Sequence, residues 1–404
     1  MTDLERILPL WREIDAAGQD YVLATVVALE GPSYRKPGAC MLLTSDGRRA
    51  GTVSGGCLEA EVASRAWWLT ANGPTVQRYS TAEDDGDRPY GSGCGGVVFL
   101  LLERRPTARP LLAALETAFH CRTQLAVATV LEGPEIGRRI FAGLDRDSPR
   151  NPPALVEPFP SADVFLHDFA DSALESRSSL EKQLLVAGSE ARVWANYRSA
   201  RPGLWIFSAG DDAQPLLRLA RELGWFVVVA DGRSHLATLE RFPLAHELHV
   251  LPIEELPGAQ SPGQPNRPPA ALHSLQPQDA AVVMTHSFEQ DSRILASLLA
   301  LETPPAYIGV LGPQRRTREL LAEAARMLNL HAKATMAQTE RWLARLHAPT
   351  GLDLGAESPE TVALSILAEI QKSFTAATAR PLRTVRAAAP VPLGENALSK
   401  QHAS

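Results

Sequence analysis

Residues Leu204 to Arg233 read LWIFSAGDDAQPLLRLARELGWFVVVADGR, and the pattern within them decides a fold class. Leu204 to Phe207 is a short apolar run, and a glycine turn follows it. Leu216, Leu219, Ala220 and Leu223 then recur at the spacing of one helix face, before Phe226 to Ala230 supplies a second apolar run. Strand, helix and strand in that order make a βαβ unit with parallel strands. Asp231 closes the second strand about 20 residues after the turn, where dinucleotide-binding folds hold an acidic residue against a ribose hydroxyl. The glycine fingerprint is incomplete, since Ser208 stands at its first position and Ala213 at its third, leaving only Gly210. Asp211 and Asp212 open the helix, favouring it through its dipole while repelling a pyrophosphate from the same place. Three readings stay open: a Rossmann-like fold kept without its nucleotide, a cation bridging carboxylates and phosphate, or a ligand elsewhere along the carboxyl edge of the sheet.

Downstream, Ala280 to Thr285 and Tyr307 to Leu311 extend the sheet. The first ends at His286, with Asp291 on the next helix, and the second leads through Gly312 into a helix carrying Arg315 and Arg316. Ligands of open α/β sheets gather at such carboxyl ends, so Ser208, Asp231, His286 and Gly312 are expected to converge. A lone His is more often a neutral hydrogen-bonded residue, and an Arg pair more often a solvated helix face. The turn-rich segment His347 to Ala356 is expected as an ordered loop at the same crevice. A helix capped by Ser358, with Pro359 first and Val362, Ile366, Ile370 and Phe374 as its stripe, follows.

Upstream, GPSYRKPGACMLLTSDGRRAGTVSGGCLEAEV spans Gly31 to Val62. Ala39 to Thr44 reads as a strand, Ser45-Asp46-Gly47 as a turn and Ala50 to Ser54 as the returning strand. Ser54-Gly55-Gly56-Cys57 then leads into a helix with Leu58, Val62, Ala66 and Leu69 inward and Asn72-Gly73 as its stop. Cys57 at that helix N-terminus is favoured as a thiolate, opposed in part by Glu59 and Glu61, and a buried structural cysteine is the plain alternative. Cys94 with Gly95 repeats the glycine-flanked setting in GSGCGG. LATVVALEGP from Leu23 returns approximately as LAVATVLEGP from Leu125.

The whole chain has 404 residues, a formal charge of -6 and 31 prolines. Nothing in it points to nucleic acid, and no apolar run approaches the roughly 20 residues of a membrane-spanning helix. Four cysteines without metal-knuckle spacing read as thiols of a reducing compartment, so a soluble cytoplasmic protein is expected. The N-terminal Leu4, Ile7, Leu8, Trp11 and Ile14 recur as a helix rather than a secretory signal, and an exposed helix there suggests a homodimer. The expected organisation is an N-terminal α+β domain over 1–200, irregular and Pro-rich at 145–162, then a Rossmann-like doubly wound parallel-sheet domain over 201–375. A disordered tail over 376–404 completes it, and a second Pro-rich excursion falls between Leu251 and Asp279.

With these segments in order, the chain resembles the XdhC/CoxI family of xanthine dehydrogenase accessory factors along nearly its whole length. The matching segments include the Gly31 to Val62 stretch, GCGGVVFLLLE, VVMTHSFEQD, YIGVLGPQRR and LHAPTGLDLGAESPETVALSILAEI. The resemblance implies a chaperone that binds the molybdenum cofactor in its molybdopterin form, supports its sulfuration with a cysteine desulfurase, and hands it to a molybdenum hydroxylase apoenzyme. Binding rather than turnover is expected. Ser54, Gly55, Gly56, Cys57, Cys94 and Gly95 would line the ligand, with Cys57 near the metal. Arg35 and Lys36 would meet the phosphate, and Gly210, Asp231 and His286 would complete the pocket from the second domain. Two rivals remain: an NAD(P)-dependent oxidoreductase with His286 moving the proton, and a scaffold docking desulfurase and hydroxylase without cofactor.

Overall fold

The structure is a computed structural model that describes residues 2–56, 58–80, 96–144, 164–258, 269–328 and 332–386. Cys57, Cys94 and Gly95 lie outside the described residues, as do the Pro-rich segment at 145–162, most of the second Pro-rich excursion, and the tail from 387 onward. The chain forms two compact units, the first comprising Met1–Pro202 with Arg221–Phe226.

The first unit opens with α1 (Asp3–Ala16), started by a reciprocal cap between Thr2 and Glu5 and burying Ile7, Leu8, Trp11 and Ile14. Next come β1 (Tyr21–Glu30), β2 (Cys40–Thr44), β3 (Arg49–Gly51), α2 (Glu59–Leu69), β4 (Thr75–Ser80) and β5 (Val97–Arg104). Their strands make an antiparallel sheet in the order β3-β2-β1-β5-β4. The turn at Gly47, with φ +86°, lies where the Asp-Gly signal indicates. The returning strand stops at Gly51, short of the expected Ser54, because the amides of Val53 and Ser54 turn to the carboxylate of Glu59 instead of a ladder partner.

The chain then repeats this path. It runs through α3 (Arg105–Cys121), β6 (Leu125–Val130), β7 (Arg139–Ala142), α4 (Val164–Ser176), β8 (Leu180–Val186) and β9 (Ser189–Arg198), with antiparallel sheet order β7-β6-β9-β8. Helix, hairpin, helix, hairpin occurs twice, and among the described residues the first module adds β3. The LATVVALEGP and LAVATVLEGP segments are the central β1 and β6.

Strand alternation sorts the layers. Tyr21 and Leu23 of β1, like Leu125 and Val127 of β6, share a core with α1 and α3. Val22, Ala24 and Val26 face α2 instead, and Ala126, Ala128 and Val130 face α4. Both central strands are buried on two sides, which is why they read as continuous apolar runs.

The second unit is a five-stranded parallel sheet. It contains β10 (Gly203–Phe207), α5 (Ala213–Glu222) up to Ala220, β11 (Phe226–Asp231) from Val227, β12 (Glu247–Val250), β13 (Ala280–Val283), α6 (Phe288–Leu299), β14 (Tyr307–Val310), α7 (Gln314–Met327), α8 (Ala332–Leu343) and α9 (Pro359–Thr375). The order β12-β11-β10-β13-β14 is the Rossmann arrangement, reversing direction of growth beside β10. Leu204, Trp205, Ile206 and Phe207 are all fully buried, as the central strand of such a sheet must be. Ser358 caps α9 as the sequence indicates, with Thr361 completing the reciprocal pair.

Candidate functional site

In the first unit, three glycine-bearing segments meet at the far end of β1. A side chain on Gly96 would lie 2.1 Å from the Pro32 carbonyl oxygen, so the glycine that leads into β5 passes directly against the Gly31-Pro32 turn. The ring of Tyr34 lies 3.8 Å from the place a Cβ on Gly55 would take, joining the GPSYRKPG segment to the Ser54-Gly55-Gly56 loop. Tyr34 is 78% exposed.

The Ser54-Gly55-Gly56 loop is shaped by Glu59, which is 3% exposed. Its carboxylate accepts from the amides of Val53 (3.1 Å) and Ser54 (2.8 Å) and from the Ser54 hydroxyl (2.5 Å). Ser54 Oγ in turn accepts from the amides of Gly56 (3.2 Å) and Leu58 (3.1 Å). Burial raises the Glu59 pKa, but the Ser54 hydroxyl and these amides outweigh it and hold the carboxyl below its ordinary range. Helix α2 begins at Glu59 with Leu58 as its cap, so Cys57 immediately precedes the cap rather than opening the helix. Glu59 also does more than oppose a thiolate: it consumes loop amides that would otherwise face a ligand. Among the described residues, only Gly55 keeps its amide unpaired within Val53–Gly56.

Arg35 and Lys36 are not equivalent. Arg35 is ion-paired with Asp3 of α1, whereas Lys36 is exposed and has no ion-pair partner among the described residues. Both line a cavity of about 510 Å³ together with Tyr34, Cys40 and Arg198. Cys40 is 3% exposed, and its sulfur lies 3.3 Å from the Gly38 carbonyl and 3.8 Å from an Arg198 nitrogen.

In the second unit, Ser208, Asp231, His286 and Gly312 do lie along one carboxyl edge, but the side chains of Ser208, Asp231 and His286 are engaged by neighbours, Gly210, Arg233 and Asp212 among them. Asp231 is fully buried. One of its oxygens accepts from the Arg233 amide (2.8 Å) and Nε (3.0 Å), the other from the Ala209 amide (2.7 Å) and an Arg233 terminal nitrogen (2.8 Å). These four bonds use the acceptor capacity of a carboxylate, so Asp231 has nothing left for a ribose hydroxyl. Burial raises its pKa, but Arg233 and the amides outweigh that and lower it. The space left by Gly210 is taken by Asp212, whose Oδ1 would lie 2.6 Å from a Cβ there, and Asp212 is bonded to His286 Nε2 at 2.7 Å. Asp211 pairs with Arg241, and Asp291 with Arg316 and Thr285. The residues present do not fit a dinucleotide: its pyrophosphate position holds two carboxylates and its ribose acceptor is saturated.

The turn-rich segment is ordered at the same edge. His347 bridges Gly309 in parallel, Thr350 donates its amide to the Val310 carbonyl at 3.0 Å, and the chain leaves at the carboxyl end of β14. Glu369 of α9 gathers it, accepting from Tyr307 OH (2.7 Å) and the Gly351 amide (2.7 Å) and lying 3.0 Å from His347 Nδ1.

Residues 204–370 match the XdhC Rossmann domain and residues 14–80 match the XdhC and CoxI family. A protein of Bacillus subtilis (strain 168) described as a probable subunit of xanthine dehydrogenase is 30% identical over 360 residues, covering 87% of this chain and 92% of the relative. The chain belongs to the XdhC and CoxI family. This XdhC/CoxI chain is also 26% identical over 292 residues to the molybdenum cofactor insertion chaperone PaoD of Escherichia coli (strain K12), covering 63% of this chain and 88% of PaoD. A crystal structure of a xanthine dehydrogenase from Bacillus halodurans superimposes with a TM-score of 0.62 at 26% identity, covering 95% of this chain and all of that one.

For this XdhC/CoxI chain, sequence reading overlooked Tyr34, Cys40 and Arg198 as neighbours and the clamp made by Glu59. Arg198 is brought to Gly38 only by folding, across a sequence separation no local pattern reports. Glu59 stands five positions after Ser54, outside the three-residue spacing that marks a capping box, so the clamp carries no familiar signature.

Proposed function

We propose that this chain binds the molybdenum cofactor in its molybdopterin form and delivers it to a molybdenum hydroxylase such as xanthine dehydrogenase. The observation that carries the reading is the meeting of three glycine-bearing segments around exposed Tyr34, beside a cavity lined by Lys36, which has no ion-pair partner among the described residues. A planar pterin suits an aromatic face, a phosphate suits Lys36, and a glycine loop lets a bulky dithiolene approach the backbone. When bound, the cofactor supplies a soft, oxidisable metal–sulfur centre. The chain's own part is to orient it and keep water and oxidants away. Cys57, one residue before the α2 cap, is the thiol assigned to the metal or to a transferred sulfur, with Cys94 second. A cysteine desulfurase as sulfur donor, a cytoplasmic setting and a homodimer belong to the same reading. The names of the relatives, one from xanthine dehydrogenase and the other a cofactor insertion chaperone, support it.

The test is the molybdenum and pterin content of the protein isolated from a cofactor-producing host, with activation of an apo-hydroxylase measured beside it. Both are expected in the wild type and reduced in Cys57→Ala. Wild-type protein free of both, yet tightly bound to desulfurase and hydroxylase, would be a scaffold instead.

A further inference from the structure

We infer that Arg198 and Lys36 hold the anionic end, a phosphate monoester, of the ligand whose planar ring rests on Tyr34. This rests on the cofactor-binding reading above and fixes which way round the ligand lies.

The cavity of about 510 Å³ falls within the range of small-molecule sites. Its charged residues are Asp3, Arg35, Lys36 and Arg198, and Asp3 is taken by Arg35. Lys36 and Arg198 therefore stand without a carboxylate partner among the described residues. Two uncompensated positive charges match a phosphate monoester, which carries about −1.5 to −2 near neutral pH.

Arg198 is also held in place for the task. Its Nε donates to Asn196 Oδ1 at 3.1 Å and one terminal nitrogen donates to the Gly38 carbonyl, leaving the other terminal nitrogen without a partner among the described residues. A guanidinium fixed on one side and free on the other presents its fork to an oxyanion at low entropic cost. Tyr34 lines the same cavity and also borders Gly55. A ligand with its phosphate on Arg198 and Lys36 and its ring on Tyr34 would then extend toward the Ser54-Gly55-Gly56 loop.

The experiment uses a fluorescent pterin monophosphate, the same pterin after phosphatase treatment, and inorganic phosphate, titrated into the full-length protein. The phosphorylated pterin is expected to bind more tightly than the dephosphorylated one. Arg198→Ala and Lys36→Ala should each weaken the phosphorylated probe roughly ten- to hundred-fold, and leave the other unchanged. Arg198→Lys should restore part of the difference. If Arg198→Ala fails to fold, exposed Lys36 decides alone. Equal binding of the two pterins by wild type, or equal weakening of both probes in the variants, overturns the inference while leaving cofactor binding intact. If neither pterin binds, phosphate that raises the melting temperature of wild type but not of Lys36→Ala keeps the anion site and removes the cofactor reading. Phosphate with no such effect removes both.

Discussion

The two modules of the first unit carry the same fold and opposite chemistry at one equivalent place. Hydrogen bonding aligns them: Val26 exchanges bonds with Gly38 and Ala39 as Val130 does with Gly137 and Arg138. Cys40, opposite Thr25, therefore corresponds to Arg139, opposite Thr129, and Glu103, opposite Leu23, corresponds to Asn196, opposite Val127. A Cβ on Gly38 would meet Asn196 at 3.1 Å and one on Gly137 would meet Glu103 at 3.1 Å, so each module's turn is closed by the other module's last strand. In the second module the result is a buried ion pair, Arg139 to Glu103 at 2.7 Å. Arg138 is paired as well, with Glu135 at 3.1 Å, and Ile136 packs into the core. In the first module the carboxylate is replaced by an amide and the arginine by a thiol, Arg198 stands nearby without a carboxylate partner among the described residues, and Tyr34 projects outward. The fold tolerates both solutions. What the first copy carries beyond the second is the part that the proposed reading gives to a ligand.

Breaking the closed copy should have the largest effect. Arg139 and Glu103 have side chains only 4% and 0% exposed, and Arg139 also donates to the Thr107 carbonyl at 2.6 Å. Arg139→Met leaves the Glu103 charge buried alone and is expected to cost about 3–5 kcal/mol in urea denaturation. Adding Glu103→Gln should recover much of that. A loss below about 1 kcal/mol for the single variant would mean that the pair does not hold the closed copy together.

Making the open copy resemble the closed one should act on binding instead. Tyr34→Ile exchanges an exposed ring for the kind of side chain the second copy uses, so stability should move by less than about 0.5 kcal/mol. Pterin retention should fall about five- to hundred-fold, the range for loss of a ring stacked on an aromatic side chain. A melting temperature lowered by many degrees with retention unchanged would place Tyr34 among the folding residues.

The Rossmann unit was the more legible part of the molecule. The Leu204 to Asp231 pattern specifies its own strand, helix and strand, and α9 is announced by its cap. The strands that became β13 and β14 were legible too, but the state of the carboxyl-edge acids was not, because Asp211 and Asp291 take partners, Arg241 and Arg316, that folding alone brings to them. The repeat in the first unit shows the same limit. The LATVVALEGP echo sets Thr25 beside Val127, whereas the ladder sets it beside Thr129, and the one-residue bulge in β1 after Val26 supplies one of those two positions. The discrepancy is even, so the echo still assigns every side chain to the correct face while missing the register. Faces follow from local hydrophobicity; registers, and with them the neighbours Cys40, Asn196 and Arg198, follow from turns and partners far along the chain.

The smallest expected effect concerns the Glu59 clamp, which has no equivalent in the described part of the second copy. Glu59→Gln keeps the shape but exchanges charge-assisted bonds to Val53 and Ser54 for neutral ones, a difference of about 1 kcal/mol. The sign of its pH dependence follows from the lowered carboxyl. A depressed folded pKa gives a stabilisation that is complete above the ordinary glutamate value of about 4.3 and is lost as pH falls through the folded value. The gap in melting temperature between wild type and Glu59→Gln should therefore be constant from pH 7 down to about 5. It should shrink in more acidic solution, where a protonated Glu59 resembles the glutamine. Other lowered carboxyls, such as Asp231 and Glu369, titrate in both proteins and cancel in the difference. A gap that persists unchanged at pH 3 would show that Glu59 holds the loop by shape rather than by charge.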